Sequence, residues 1–454
     1  MHAFEKIMKN KEQRQKEQNP EERIHNFDEV SFGYTREQAV KEAKRCLQCQ
    51  LPLCEKGCPA GISIKKFINH IACEEFDLAL KTILEKNSLP GVCGRVCPAE
   101  EQCKKSCISR PKINIELLER FAAENAKKIV KNIKKTGKRI AVVGSGPAGL
   151  ACGSELALMG NEVVVYEALH KPGGVLTYGI PEFRLSKKIV MDEINYIKRL
   201  GVSIKLNSVV GKLFGVDELL KKYDAVFIAT GAGLPYFLGI DGENLSNVYS
   251  ANEFLTRNNL MKAYKFPEYT TPVKKAKKTV VIGGGNVAVD AARVAKRLGS
   301  DVTLIYRRSR AEMPARDKEI KHAEEEGIKF MFLANPLKII GKDDVEGIEC
   351  IRMRLGKPDY SGRRMPLPVK GSEFKIACDQ VIVAIGQGPN PLIGKTISLN
   401  TGKKRNIVVD TNYQTSIKNV FAGGDIITGS ATVIKAISDG KKAAKIIDEK
   451  LKRG

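Results

Sequence analysis

The feature that most constrains this 454-residue chain is a glycine-rich turn that occurs twice. The first copy, Gly144 to Gly149 (GSGPAG), follows the apolar run Ile140 to Val143. The second copy, Gly283 to Ala288 (GGGNVA), follows the apolar run Thr279 to Ile282. A short strand, a tight glycine turn and a helix together form the phosphate-binding unit of a dinucleotide fold. The repeat therefore predicts two such units in one chain.

A second pair of matching runs follows the two turns. Asp224 to Gly231 reads DAVFIATG and Asp379 to Gly386 reads DQVIVAIG, which adds a closing strand to each copy. Alternating β-runs, glycine turns and helices predict an α/β architecture with parallel strands. The residues before them have helical spacing, with Thr35 and Gln38 starting one helix. The predicted domains are a helical domain, residues 1–135, a first Rossmann-like domain, residues 136–271 plus 389–454, and a second, residues 272–388.

The end of the strand after each turn indicates which nucleotide that turn suits. After the first turn, the strand Val163 to Tyr166 ends in Glu167, where a carboxylate accepts hydrogen bonds from an adenosine ribose. After the second turn, the strand Val302 to Tyr306 ends in Arg307 and Arg308, with Arg310 nearby. Guanidinium groups pair with a 2′-phosphate, which a carboxylate would repel. The first site therefore suits FAD or NAD and the second NADP(H), the alternative for the arginines being an ordinary charged surface.

Eight of the 12 cysteines form two closely spaced groups between residues 46 and 107. The first group is Cys46-x2-Cys49-x4-Cys54-x3-Cys58-Pro, and the second is Cys93-x3-Cys97-Pro-x4-Cys103-x3-Cys107. This spacing differs from that of a zinc ribbon and favours iron–sulfur cubanes, with zinc as the alternative. The isolated thiols are predicted to be buried and inert; these are Cys73, Cys152, Cys350 and Cys378.

Composition excludes several other classes of protein. The formal charge of +24 is large, but the chain has no Trp and no basic helix with a DNA-reading signature, so nucleic acid is not predicted as a partner. Met1 to Asn10 has no apolar stretch, and glycines, Pro147 and Glu155 interrupt the apolar segment from residue 140 to 160. We therefore expect a cytoplasmic protein without membrane segments, in which Lys9 to Arg23 forms a mobile arm or an exposed helix.

Three strings make a specific resemblance. They are Gly173 to Leu185 (GGVLTYGIPEFRL), Tyr306 to Pro314 (YRRSRAEMP) and Phe421 to Asp425 (FAGGD). Over residues 35–450 the chain resembles the small, or β, subunit of NADPH-dependent glutamate synthase. It is also similar to the large subunit of NADH-dependent ferredoxin:NADP reductase and to the N-terminal half of dihydropyrimidine dehydrogenase. The resemblance implies two glutathione-reductase-like domains after an iron–sulfur domain.

The resemblance also assigns cofactors to the two turns, with FAD at the first and NADPH at the second. Together with the turns themselves, it predicts an FAD site made of Gly144, Ser145, Gly146, Pro147, Ala148, Gly149, Glu167, Gly174, Leu176, Arg184, Gly424, Asp425 and Thr432. The predicted NADP site is Gly283, Gly284, Gly285, Asn286, Val287, Ala288, Arg307, Arg308, Arg310, Ala384 and Gly386.

For the cysteines, the resemblance implies two [4Fe-4S] clusters with a particular ligand set. The first is held by Cys46, Cys49, Cys54 and Cys107. The second is held by Cys58, Cys97, Cys103 and an oxygen ligand in a Leu-x-x-Phe context, which is Glu119 in this chain. Cys93 is then left without an iron, and the alternative is that Cys93 is the eighth ligand.

The function that this implies is oxidation of NADPH with electron transfer to a partner, so no acid–base catalytic residue is assigned. The expected partner is a larger synthase subunit that forms glutamate from 2-oxoglutarate and glutamine-derived nitrogen, in a hetero-oligomer. The alternatives are the large subunit of an electron-bifurcating ferredoxin:NADP transhydrogenase, whose acidic ferredoxin a basic face would attract, and an inactive assembly protein.

Overall fold

The N-terminal part of the chain is helical, as the sequence predicts. The computed structural model describes residues 11–130 and 132–453. Thr35 caps its helix in a reciprocal box, because Gln38 N donates to Thr35 Oγ1 at 3.3 Å and Thr35 N donates to Gln38 Oε1 at 3.0 Å. The helices are Pro20–Arg23, Arg36–Ala43, Leu53–Lys56, Ile64–Ala72, Phe76–Leu84, Pro90–Val96 and Ile115–Asn125, with a 3-10 turn at Ala99–Glu101.

The first dinucleotide unit is built on a five-stranded parallel sheet. Its strands stand in the order Val420–Ala422, Ala225–Ile228, Arg139–Val143, Glu162–Tyr166 and Val202–Lys205. The C-terminal helix Val433–Arg453 packs closely on Pro147–Leu158, and a Cβ on Gly440 would lie 2.2 Å from Ala148 O. The other helices of this unit are Val175–Tyr178, Lys187–Arg199, Val216–Leu220, Leu392–Thr396 and Asp425–Thr428.

The second unit repeats this architecture with another five-stranded parallel sheet. Its strands stand in the order Val248–Ser250, Gln380–Val383, Lys278–Ile282, Asp301–Tyr306 and Lys329–Phe332. Its helices are Ala251–Asn259, Asn286–Arg297 and Asp317–Glu325, with 3-10 turns at Ala263–Lys265 and Arg310–Glu312. The boundary at residue 271 stays a prediction, although the strand Val248–Ser250 and the helix after it pack with the second unit.

An antiparallel sheet that the sequence pattern did not reveal is inserted in the second unit. Its strands are Ala334–Gly341, Val345–Pro358 and Arg364–Ala377. The two long strands form a hairpin whose tip, residues 359–363, returns toward the second glycine turn through Arg308. A short antiparallel ribbon, Leu234–Pro235 with Gln387–Gly388, joins the segments that run between the two units.

The N-terminal segment is anchored rather than free. Residues 9 and 10 of the predicted arm lie outside the described residues, but from residue 11 onward the segment packs on the rest of the chain. Arg23 is buried, and its guanidinium pairs with Glu326 at 2.7 Å and with Glu325 at 2.9 Å. A buried charge must be paired to be tolerated, so these acids of the second unit hold the segment in place. The prediction of a mobile arm is therefore wrong for residues 11–23, where Glu21 and Glu22 alone are the exposed part of a short helix.

Two predictions concern membranes and secretion. Across the described ranges, the chain contains no helix with the length and apolar character needed to cross a bilayer. The segment Met1 to Asn10, from which the lack of a secretory signal was inferred, lies outside the described residues.

Candidate functional site

The first glycine turn leaves open space where phosphates could approach the backbone. Gly144 has φ 103°, and a Cβ there would lie 2.5 Å from Ala229 O. A Cβ on Gly149 would lie 1.9 Å from Gly144 O, so this glycine is needed for helix and turn to pack. At Gly146, by contrast, no described atom lies within 4 Å of a Cβ position. The turn is therefore tightly packed at Gly144 and Gly149, whereas at Gly146, at the N-terminus of the helix Pro147–Leu158, a ligand could approach its backbone.

Glu167 is held beside this turn by three hydrogen bonds. Ser145 N donates to Glu167 Oε2 at 3.0 Å, the Ser145 hydroxyl donates to the same oxygen, and Leu169 N donates to Oε1 at 2.9 Å. Gly173 N in turn donates to Ser145 Oγ at 3.0 Å. The carboxylate therefore has a fixed orientation at the end of the strand Glu162–Tyr166.

The second turn has the same form. Gly283 has φ 147°, and a Cβ there would lie 2.3 Å from Ala384 O. The position of a Cβ on Gly285 has no described neighbour within 4 Å. Ala288, in the place of the third glycine, is fully buried in the core of the second unit.

Both turns line one cavity of about 970 Å³, which lies between the two dinucleotide units. This volume is in the range of cofactor and ligand pockets in proteins. Val96 and Pro98, the neighbours of Cys97, also line the cavity, and Gln102 Nε2 lies 3.4 Å from Thr432 Oγ1. The cysteine-bearing domain therefore forms part of the wall of the same cavity.

The clustered cysteines separate into two groups through space. Burial and then the charge of Cys107 raise the pKa of Cys54 to about 12. Burial also raises the pKa of Cys46, and the charges of Cys107 and Cys49 act in the same direction. Burial raises the pKa of Cys58 to about 11, with further contributions from Glu119 and Cys97. We call Cys46, Cys49, Cys54 and Cys107 the outer group, and Cys58, Cys97, Cys103 and Glu119 the inner group.

Among the residues that the structure describes, no three His, Cys, Asp or Glu side chains converge closely enough to hold a single metal ion. In a cubane each cysteine binds a different iron atom, so the sulfur atoms surround the cluster instead of converging on one point.

Two sequence families match this chain in the two parts just described. Residues 138–440 match the pyridine nucleotide-disulphide oxidoreductase family, and residues 23–130 match the 4Fe-4S cluster domain known as dihydropyrimidine dehydrogenase domain II. The chain belongs to the pyridine nucleotide-disulphide oxidoreductase family. It is an oxidoreductase of the NADPH-dependent flavoprotein kind, with an added 4Fe-4S domain.

Individual relatives support this membership. The chain is 36% identical over 437 residues to the glutamate synthase (NADPH) small chain of Escherichia coli and covers 92% of it. It is 40% identical over 436 residues to the NADP(+)-dependent formate dehydrogenase subunit beta of Moorella thermoacetica, but spans only 60% of that protein's length. Among solved structures, FprA of Mycobacterium tuberculosis with NADPH matches at a TM-score of 0.60 and 22% identity, covering 70% of this chain and 85% of FprA. The predicted resemblance to glutamate synthase small chains and the predicted fold class are thereby confirmed.

Most of the residues predicted for FAD in this family member line the cavity. Those that do are Gly144, Ser145, Gly146, Pro147, Ala148, Glu167, Gly174, Arg184, Asp425 and Thr432. Gly149, Leu176 and Gly424 lie behind this wall, where they allow close packing or fill the core. Asp425 accepts from Ala431 N at 3.3 Å, and burial raises the pKa of its carboxyl to about 6.

Most, but not all, of the residues predicted for NADP(H) line the cavity. Gly283, Gly284, Gly285, Asn286, Val287, Arg307, Arg308, Ala384 and Gly386 line the cavity, whereas Ala288 and Arg310 do not. Arg310 pairs with Glu324 instead. Arg308 donates to Asp359 Oδ2 at 2.6 Å and to Arg364 O at 2.8 Å, so the hairpin tip occupies its guanidinium. Arg307 is exposed at the cavity mouth.

Two charged residues of the cavity, Arg363 and Asp290, are among those that the sequence reasoning missed. Arg363, at the hairpin tip, lines the cavity beside the strand-end arginines. Asp290 also lines it, and its Oδ2 accepts from Arg184 Nη1 at 2.6 Å. Asp290 Oδ1 and Arg184 Nε are buried and make no hydrogen bond within the described part of the chain, although Arg184 Nε lies 3.4 Å from Glu319 Oε1. Asp290 lies two residues after Ala288, the last residue of the second turn, and this position is the signal that could have identified it.

Glu119 and Cys93 lie close to each other at the inner group. Asn87 Nδ2 donates to Glu119 Oε1 at 2.6 Å, and burial raises the pKa of this carboxyl to about 8. Cys93 is fully buried, and its thiol is hydrogen-bonded to that of Cys97. The choice between them as ligand stays a prediction.

The isolated cysteines are mostly buried. Cys152, Cys350 and Cys378 are buried as expected, but Cys73 is exposed because it caps the end of the helix Ile64–Ala72, and the prediction of burial is wrong for it.

Proposed function

We propose that this chain is the NADPH-oxidising electron-transfer subunit of a larger enzyme, of the glutamate synthase small-chain type. The observation that carries the proposal is the single cavity that both glycine turns share with Val96 and Pro98, the residues on either side of Cys97. Such a cavity puts two nucleotide sites and one cysteine group within reach of each other. When bound, FAD accepts two electrons from NADPH and releases them singly to iron–sulfur clusters.

The residues around the first turn fit the pyrophosphate and ribose of FAD. The open position at Gly146 and the free amides at the start of the helix Pro147–Leu158 would hold the phosphates. Glu167, oriented by Ser145, would accept hydrogen bonds from the adenosine ribose. Arg184, Asp425 and Thr432 line the same cavity and would border the flavin.

The residues around the second turn fit NADPH, with one revision of the predicted set. Arg307 lines the cavity with an exposed guanidinium, and Arg363 reaches it from the hairpin tip. We assign the 2′-phosphate to these two residues. Arg308 is a positioning residue, because its bonds to Asp359 and Arg364 O hold the hairpin tip against the strand end.

The cysteine groups would hold two [4Fe-4S] clusters, the outer one on Cys46, Cys49, Cys54 and Cys107, and the inner one on Cys58, Cys97, Cys103 and Glu119. In each group, cysteines are close enough for the charge of one to raise the pKa of another, and no His lies among them. Soft thiolate ligands of this kind suit iron–sulfur clusters. Because Cys97 adjoins the cavity wall, the inner cluster is the one next to the flavin. None of the four cysteines of the outer group lines the cavity, and exposed side chains adjoin them in the sequence.

The partner is proposed from similarity alone. Identity of 33–36% to three glutamate synthase small chains, over at least 91% of each, supports a partner that forms glutamate from 2-oxoglutarate and glutamine. A second candidate is the beta subunit of an NADP-linked formate dehydrogenase, favoured by the 40% identity to that protein. The large subunit of a ferredoxin:NADP transhydrogenase, the other alternative from the sequence, would use the same cavity.

The test is spectroscopic and then enzymatic. Anaerobically purified chain should carry flavin and iron–sulfur absorbance, and NADPH should bleach both far faster than NADH does. Protein without flavin, or flavin that NADPH leaves oxidised, contradicts the proposal. In the complex isolated from native cells, NADPH oxidation should require both glutamine and 2-oxoglutarate, whereas formate-dependent reduction of NADP⁺ would identify the second candidate.

A further inference from the structure

Three large apolar side chains are exposed beside the outer cysteine group. Leu51 is 76% exposed, Leu53 is 47% exposed and Ile108 is 56% exposed. Leu53 precedes Cys54 and Ile108 follows Cys107, so both flank thiols of the outer group. We call Leu51, Leu53 and Ile108 the outer patch. Single exposed apolar residues are common on proteins, but three around one candidate redox centre form a feature that needs a reason.

The two segments that carry the outer patch are packed against each other. A Cβ on Gly57, at the end of the helix Leu53–Lys56, would lie 2.7 Å from Ser106 Oγ and 2.9 Å from Gln102 O. The residues around Leu53 and those before Ile108 therefore belong to one surface.

The surface around the outer patch is basic. Lys56, Lys105 and Arg110 are exposed within three residues of a patch member. Two acids lie close to these cations. Glu101 is exposed and its carboxylate is 3.9 Å from Lys105 Nζ, a distance at which an ion pair in water contributes little, and Glu55 is half-buried and accepts a hydrogen bond from Lys65 N at 3.0 Å. The exposed cations therefore outnumber the exposed acids at this surface. An apolar centre with a cationic rim is the complement of a protein surface with an apolar centre and an acidic rim.

We propose that the outer patch and its cationic rim are the docking surface for an acidic one-electron carrier protein or carrier domain, which takes electrons from the outer cluster. This inference rests on the proposed function. Each transfer moves one electron from the outer cluster to the redox centre of the partner, with no bond formed or broken and no proton moved. The cationic rim steers the partner, and the apolar centre excludes water between the two redox centres.

The experiment compares electron acceptors of opposite charge with the NADPH-loaded, cluster-containing protein. The probes are flavodoxin, a small acidic one-electron carrier, cytochrome c, which is basic, and ferricyanide, which needs no docking surface. The variant K56E/K105E/R110E should lower kcat/KM for flavodoxin at least about tenfold at low salt. It should leave cytochrome c reduction equal or faster, and leave ferricyanide reduction and iron content unchanged. The variant L51S/L53S/I108S should also slow flavodoxin, with an effect that persists at high salt.

A matched control reverses three exposed lysines of the first dinucleotide unit, K403E/K404E/K418E. This variant changes net charge equally, so an equal loss of flavodoxin reduction in it would overturn the docking surface. A wild-type protein that reduces ferricyanide but not flavodoxin would overturn it as well, and so would self-association that the L51S/L53S/I108S variant abolishes. If NADPH fails to bleach the flavin of the wild type, the proposed function fails instead, so the two failures are distinguishable.

Discussion

Arg184 of the first dinucleotide unit and Asp290 of the second form a buried ion pair, with Nη1 and Oδ2 2.6 Å apart and side chains only 7% and 5% exposed. Burial opposes the charge on Arg184, but Asp290 and Glu319 outweigh it and hold the pKa of the guanidinium above its usual value. Both residues line the cavity that the two glycine turns share, so the pair joins the two units within the wall of the candidate site.

Removing one side of this pair should destabilise the protein. In D290A the guanidinium of Arg184 keeps only the more distant Glu319, and loss of a buried partner costs about 3–5 kcal/mol. We expect a clear drop in the melting temperature together with a higher KM for NADPH. The control is R257A, which breaks the half-exposed pair with Glu253 and should cost about 1 kcal/mol or less. Equal effects of D290A and R257A would contradict the role of the ion pair.

NADPH specificity should depend on the hairpin tip as well as on the strand end. R307A and R363A should each raise the KM for NADPH by about tenfold or more and change the KM for NADH little, because each removes a charge-assisted bond to the 2′-phosphate. R308A should also raise the KM for NADPH and change that for NADH little, because it releases the hairpin tip that carries Arg363. D359N, which weakens the same contact from the other side, should have the same effect. R310A is the control, since Arg310 pairs with Glu324 outside the cavity. Steady-state kinetics with both nucleotides measures this, and equal losses for NADH would refute the assignment.

Iron content should decide the eighth ligand. Wild-type protein should contain about eight iron atoms, as two [4Fe-4S] clusters require. C93S should keep that number, whereas E119A should lose or perturb one cluster, seen by iron analysis and electron paramagnetic resonance. The reverse pattern would make Cys93 the ligand, and stoichiometric zinc in place of iron would reject both.

The stability of the protein should rise with pH above neutrality through Lys187. Its ammonium donates to Ile180 O and Leu185 O, and burial lowers its pKa to about 7. Since the unfolded chain binds this proton up to a pKa of about 10.4, the unfolded state holds more protons between pH 7 and pH 10, and the free energy of unfolding increases across that range. K187M should flatten the increase, whereas the exposed neighbour variant K188M should not. Melting temperatures at pH 7 and pH 9.5 test this, and parallel curves for wild type and K187M would contradict it.

The sequence predicted the elements that depend on local chemistry. The strand before the first glycine turn forms as predicted but begins one residue earlier, at Arg139. The capping box at Thr35 also forms as expected. The apolar positions at helical spacing between Ile64 and Leu84 lie on two helices, Ile64–Ala72 and Phe76–Leu84, because Glu74 adopts φ 62° between them. The antiparallel hairpin was missed because its second strand, Arg364–Ala377, contains no fully buried residue and so lacks the buried–exposed alternation that marks a half-buried strand.

By itself, the sequence determined the two dinucleotide turns and the iron–sulfur spacing of the cysteines, because a positive φ at glycine and the ligand chemistry of thiols are properties of short segments. Tertiary structure alone decided which distant groups meet. It brought Arg363 into the wall of the cavity that the second turn lines, joined Arg184 of the first unit to Asp290 of the second, and anchored Arg23 on Glu326. Each of these contacts depends on how separate units pack, and a charged residue in a sequence does not indicate which opposite charge will be buried with it.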